Sequence, residues 1–160
     1  MKILSMKTTI FLGAMLSLLV CLMFTGCSNS ETNSTSRGLT DFAHIEEEYL
    51  ATIDSLNWPD GITLPDKLED EDTGASFQVG YGETRASYLW EYSWMKEWLD
   101  TYNTNPERAE KALEELEKAF DMPYMGKDRC DDATRNYLRE NIDKAKLGDP
   151  SGFRECIDAV

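Results

Sequence analysis

The strongest hydrophobic pattern in the chain lies between residues 84 and 102, which read TRASYLWEYSWMKEWLDTY. The large apolar side chains recur every three or four residues and cover an arc of about 200° around a helical wheel. A helix that rests on a single neighbour needs an apolar stripe of only about 100°. The pattern therefore predicts a helix that is covered on two sides, at the centre of a small core.

The same periodicity predicts three further helices and a short fifth one. The first spans residues 41–56, with Thr40 or Asp41 as its cap. Another begins at Asn105-Pro106, an N-cap followed by a proline in the first turn. A third spans residues 131–147, and residues 149–157 form the short last helix.

Residues 57–83 interrupt this helical pattern. Prolines and glycines recur through the segment, and only residues 77–79 alternate in the manner of a short strand. The segment also carries apolar side chains, which predicts a loop that wraps the core. The predicted fold is therefore mainly α: a small bundle of four helices plus a short C-terminal helix, with one long wrapping loop at 57–83.

The N-terminal segment has the pattern of an export signal. Lys2 and Lys7 precede a nearly unbroken apolar run of a length typical of a signal peptide. The run ends in Phe24-Thr25-Gly26-Cys27, which resembles the lipobox of bacterial lipoproteins. The resemblance implies cleavage after Gly26, lipidation of Cys27, and anchoring at the extracytoplasmic face of the cell membrane. An ordinary secretory signal or an uncleaved anchor remains the alternative.

The domain organisation follows from this signal. Residues 1–26 are the predicted signal peptide, residues 27–40 form a polar, flexible tether, and residues 41–160 form a single helical domain. The chain has 160 residues and a formal net charge of −14. Such a charge excludes nucleic acid as a natural partner, because phosphates are repelled. It suits a basic protein partner, or simply keeps an exported protein in solution.

Two cysteines remain in the predicted mature chain after Cys27, namely Cys130 and Cys156. An even pair in an oxidising compartment predicts a disulfide, which would tie the fourth helix to the last one. Two free thiols remain the alternative.

The central helix carries the candidate binding residues. Glu91 lies within the aromatic arc, where a carboxylate must be paired, hydrogen-bonded or neutralised. It is either a ligand-binding or acidic group, or a structural carboxylate. Trp90, Trp94 and Trp98 either form the core or present a shelf for a sugar or cation.

Motifs for nucleophilic catalysis, metal binding and cofactor binding are missing from the sequence. His44 is the only histidine, and residues 69–74 do not have the spacing of a calcium-binding loop. We therefore predict no cofactor and name no catalytic residue. The favoured function is a membrane-anchored binding or accessory module with a protein partner at the cell surface. The alternatives are a carboxylate-dependent hydrolase and a glycan- or solute-binding module that uses the tryptophan-rich helix.

Overall fold

The computed structural model of this protein describes residues 38–69 and 71–159. Five α-helices make up most of this part of the chain, which confirms the mainly α class. They are α1 (Phe42–Ser55), α2 (Tyr81–Thr101), α3 (Pro106–Glu117), α4 (Asp132–Lys146) and α5 (Ser151–Asp158). Two short 3-10 helices, Lys118–Asp121 and Pro123–Met125, connect α3 to α4.

A small sheet of two strands completes the fold. Strands β1 (Leu39–Thr40) and β2 (Phe77–Gln78) pair in antiparallel register, with Leu39 opposite Gln78. The first of these strands falls within the segment that we predicted to be tether. The predicted signal peptide and Cys27 lie outside the described residues. Among the described helices, none combines the length and apolar character needed to cross a membrane.

Side-chain hydrogen bonds cap the starts of three helices, and they confirm the predicted caps Asp41 and Asn105. Asp41, Asn105 and Asp131 each accept a hydrogen bond from the backbone N–H three residues later, at 3.1, 3.2 and 2.7 Å. These bonds satisfy N–H groups that have no partner within the helix. Local sequence therefore sets where α1, α3 and α4 begin.

Helix α2 lies at the centre of the fold, as its wide apolar arc predicts. It packs against α1 on one side and against α3 and α5 on another. Its three tryptophans, Trp90, Trp94 and Trp98, are 2%, 1% and 2% exposed. They belong to the main core cluster, together with side chains of α3, α4 and α5. A second cluster lies between α1, α2 and the loop that joins them.

The loop at residues 56–80 wraps the core, as predicted. The backbone carbonyl of Asn57 accepts hydrogen bonds from the indole N–H groups of Trp90 and Trp94, at 2.7 and 3.1 Å. Further along the loop, Leu68 and Phe77 are 5% and 9% exposed. The loop thus supplies both the hydrogen-bond acceptor and part of the apolar cover that the central helix requires.

The start of α2 differs from the predicted one, because a distant side chain caps it. The helix begins at Tyr81, three residues before the predicted Thr84. The carboxylate of Glu48, on α1, accepts hydrogen bonds from the backbone N–H groups of Gly80 and Gly82, at 2.7 and 3.1 Å. A negative charge at the N-terminus of a helix is also favourable for the helix dipole.

Helices α1 and α2 approach closely at Gly82. A Cβ atom at this position would lie only 1.8 Å from the backbone carbonyl oxygen of Ile45. Because the obstacle is backbone, it cannot move aside without separating the two helices. Glycine is therefore required here for packing.

We predict that Gly82→Ala lowers the free energy of unfolding by about 3 kcal/mol, because α1 must shift away from α2. The matched control is Gly74→Ala, where the new Cβ would meet its nearest atom at an ordinary 3.4 Å. Urea denaturation followed by tryptophan fluorescence measures both variants. Equal stability of the two variants would contradict the close approach.

Candidate functional site

A cavity of about 670 Å³ opens beside the exposed edge of α2. Its walls come from four parts of the chain: Tyr49 of α1, the loop from Pro65 to Glu69, residues of α2 between Arg85 and Met95, and Cys156 of α5. Cavities of this size, with apolar walls and a few polar groups, are typical of sites for small ligands. We call it the Glu91 cavity, after its most unusual lining residue.

The Glu91 side chain is held in place by a tyrosine from a distant segment. The hydroxyl group of Tyr124 donates a hydrogen bond to Glu91 Oε2, at 2.7 Å. Tyr124 is 2% exposed and lies in the 3-10 helix that precedes α4. Its ring meets the ring of Tyr88 edge to face, with centroids 5.7 Å apart. The carboxylate is therefore fixed in one orientation at the wall of the cavity.

Burial strongly changes the acidity of this pair. Loss of solvation raises the pKa of Glu91 from its ordinary 4.5 to about 7, and the hydrogen bond from Tyr124 opposes only part of this rise. Burial, together with the nearby Glu91 charge, raises the pKa of Tyr124 as well. Glu91 can therefore change its protonation state near neutral pH, while Tyr124 remains a hydrogen-bond donor.

Three tyrosines and two ion pairs lie around the Glu91 cavity. Tyr49, Tyr88 and Tyr92 line the cavity together with the apolar side chains of Leu68, Leu89 and Met95. The basic side chains that line it have acidic partners of their own. Lys67 pairs with Glu69 at 2.8 Å, and Arg85 pairs with Glu71 at 3.4 Å.

Glu71, within the acidic run of the sequence at 69–72, has a structural role. Besides its pair with Arg85, Glu71 accepts a hydrogen bond from the Tyr81 hydroxyl at 2.7 Å, which ties the loop to the start of α2. Within residues 38–69 and 71–159, no group of three His, Cys, Asp or Glu side chains is arranged to hold a metal ion.

The predicted disulfide is not formed. Cys130 and Cys156 are both free cysteines. The Cys130 sulfur is buried and lies 3.5 Å from the sulfur of Met125. The Cys156 thiol lies 3.6 Å from the hydroxyl of Tyr137 and also accepts a hydrogen bond from Asn141. The two sulfurs therefore contact different side chains, because α4 and α5 pack against each other through other residues.

The tryptophans do not form an exposed shelf. Trp90, Trp94 and Trp98 are all at most 2% exposed, and they lie in the core. Of the candidate binding residues on α2, only Glu91 lines the cavity. Sequence reasoning missed the tyrosines around it. Tyr88 and Tyr92 alternate with Trp90 and Trp94 along α2, which is a weak sequence signal for a less deeply buried face.

A second cavity of about 470 Å³ lies between the end of α2, α3 and α4. Its floor includes Trp98 and Leu113, and its rim carries Glu110, Glu114 and Glu117. These three carboxylates lie at exposed positions of α3. Since none of the three is buried and Glu117 already pairs with Lys146, this cavity is the weaker candidate.

Comparisons of the chain with family models, curated proteins and solved structures found no match. The geometry of the Glu91 cavity and the N-terminal sequence therefore provide the basis for proposing a function.

The pKa of Glu91 predicts a specific dependence of stability on pH. Because the folded pKa lies above the unfolded one, the contribution of Glu91 is fully present below pH 4.5 and is lost as the pH rises through 7. We expect Glu91→Gln to gain about 3 kcal/mol over the wild type between pH 4.5 and pH 8. Glutamine has no charge to bury and still accepts a hydrogen bond from Tyr124.

Urea denaturation at both pH values measures this difference. Glu47→Gln, an exposed position on α1, is the matched control and should keep the pH dependence of the wild type. A wild type and a Glu91→Gln variant with the same pH dependence would contradict the raised pKa.

Proposed function

We propose that the protein is a membrane-anchored, extracytoplasmic binding module that holds a small ligand in the Glu91 cavity. The observation that carries the proposal is a buried carboxyl group, hydrogen-bonded by Tyr124, on a residue that lines a cavity of ligand size. Burying a carboxyl group costs free energy unless it is fully paired. A ligand that pairs with the Glu91 carboxyl group would offset this cost, which explains why a glutamate can occupy the position.

The proposed location at the membrane depends on the N-terminal sequence. The run that ends in Phe24-Thr25-Gly26-Cys27 supports lipidation of Cys27. Two or three acyl chains would anchor the domain firmly, whereas a single chain gives only marginal binding. An anchored module of this kind would collect its ligand outside the cell and present it to a partner at the membrane. The net charge of −14 favours a basic partner surface.

A hydrolase is the second candidate function, and one observation favours it. Glu69 and Glu91 both line the cavity, and a pKa of about 7 suits a general acid. Hydrolysis of glycosides uses two carboxyl groups of this kind. Incubation with cell-wall glycan fragments tests it: new reducing ends that disappear in Glu91→Gln, but persist in Glu47→Gln, would favour the hydrolase over the binding module.

Lipidation is tested by metabolic labelling with an alkyne fatty acid in a bacterial host. We expect the wild type and Cys21→Ser to incorporate the label, since Cys21 lies within the predicted leader. Cys27→Ser should incorporate none and should retain the mass of its leader. Equal labelling of Cys27→Ser and the wild type would contradict the proposed anchor.

Ligand binding is tested on the anchored protein in neutral-lipid nanodiscs, with ¹³C-labelled methionine methyl groups. Met95 lines the cavity, whereas Met122 does not and is the internal reference. We expect at least one class among neutral, anionic and cationic aromatic fragments to shift the Met95 signal and to leave Met122 unchanged.

Leu89→Trp, which fills the cavity, should weaken this binding at least about tenfold. Leu147→Trp is the matched control, because Leu147 is 88% exposed and lies away from the cavity. The proposal fails if no fragment class shifts Met95, or if Leu89→Trp binds as the wild type does.

A further inference from the structure

Glu91 has no basic partner within residues 38–69 and 71–159. The ion pairs of this part of the chain involve other carboxylates, and the Glu91 carboxylate accepts a hydrogen bond from Tyr124 alone. The basic side chains that line the same cavity, Lys67 and Arg85, pair with Glu69 and Glu71 instead. An ionised Glu91 therefore lacks the cation that a buried carboxylate requires.

We propose that the ligand supplies this cation: the Glu91 cavity binds a compact amine with a single positive charge, whose ammonium group pairs with the Glu91 carboxylate. This inference rests on the proposed function, because it names the chemical class of the ligand for the same cavity. The fixed orientation of Glu91 and the position of its carboxyl group at the cavity wall carry the argument.

The other titratable groups around Glu91 carry no positive charge that would repel a cationic ligand. Tyr88 lies on the same helix, Tyr124 faces Glu91 from the 3-10 helix Pro123–Met125, and the thiols of Cys130 and Cys156 lie close enough to sense its charge. Burial raises the pKa of all four groups, so all four are neutral at pH 7. An entering ammonium group thus meets one ionisable carboxylate and no competing cation at this wall.

The remaining walls suit the body of such a ligand. The rings of Tyr49, Tyr88 and Tyr92 line the cavity, and aromatic faces attract ammonium groups. Leu89 and Met95 offer apolar surface to a short hydrocarbon or aromatic body. The pair of Lys67 with Glu69 and the pair of Arg85 with Glu71 are each neutral overall. A second cation on the ligand would therefore gain little, which favours one positive charge.

Three probes that share an aromatic body test this inference: phenethylamine, phenethyl alcohol and 3-phenylpropionate. Binding is measured on the anchored protein through the Met95 methyl signal at pH 8 and pH 6. We expect the amine to bind at least about tenfold more tightly than the alcohol at pH 8, and the anion not to bind. Because a proton and the ammonium group compete for Glu91, the amine's affinity should fall close to tenfold from pH 8 to pH 6.

Two variants show whether the amine binds through an ion pair with Glu91 or only through nonspecific contacts in the cavity. Glu91→Gln should lose about tenfold or more in amine affinity, lose the pH dependence, and bind the alcohol as the wild type does. Glu47→Gln should match the wild type with every probe. The pH dependence of the wild type provides an independent readout that requires no variant.

The possible failures are distinguishable. If the alcohol or the anion shifts Met95 as tightly as the amine does, or if the amine binds better at pH 6, the inferred ligand class is wrong and the cavity remains a binding site. If none of the probes and no fragment of any class shifts Met95, the proposed function itself is overturned.

Discussion

The fold depends on how two buried indole groups satisfy their hydrogen bonds. Trp90 and Trp94 each carry an N–H group into the core, and leaving such a group unpaired costs about 1–3 kcal/mol. The backbone carbonyl of Asn57, with its two lone pairs, accepts from both. Because this acceptor lies at the start of the long loop, the loop must stay against α2. The tryptophan face can then be dry, and α3, α4 and α5 can pack over it.

Helix α1 covers the opposite side of α2. Gly82 allows the backbones to approach, and Glu48 supplies the hydrogen-bond acceptors that the first N–H groups of α2 lack within the helix. A helix covered on these two sides still has an uncovered edge between them. Glu91 lies at this edge, beside a cavity that the loop, α1 and α5 close only in part. The same packing that buries the tryptophans therefore places a carboxyl group at the border between core and solvent.

Features that depend on neighbouring residues in sequence could be predicted. The caps Asp41 and Asn105, and the apolar stripes that follow them, are local, and the structure confirms them. The early start of α2 could not be predicted, because the Glu48 cap comes from another helix. The disulfide prediction used only the number of cysteines and the expected compartment, neither of which determines how α4 and α5 pack.

The candidate site was only partly accessible from sequence. The position of Glu91 within an aromatic arc identified it as unusual, since a charged residue there requires compensation. Its partner Tyr124 lies 33 residues further along the chain, and no local pattern connects the two. The cavity walls come from four separate segments, so their meeting is a property of tertiary packing. Periodicity also left open whether Trp90, Trp94 and Trp98 form the core or an exposed shelf, and packing against α3, α4 and α5 places them in the core.

Both functional proposals require that Glu91 is a buried carboxyl group with no cationic partner within residues 38–69 and 71–159. The most direct test is a ¹³C NMR titration of its side-chain carboxyl carbon, assigned by comparison with Glu91→Gln. The account predicts a midpoint near pH 7 in the absence of ligand. A midpoint near the ordinary value of 4.5 would show that the carboxylate is already solvated or paired, and would contradict the claim.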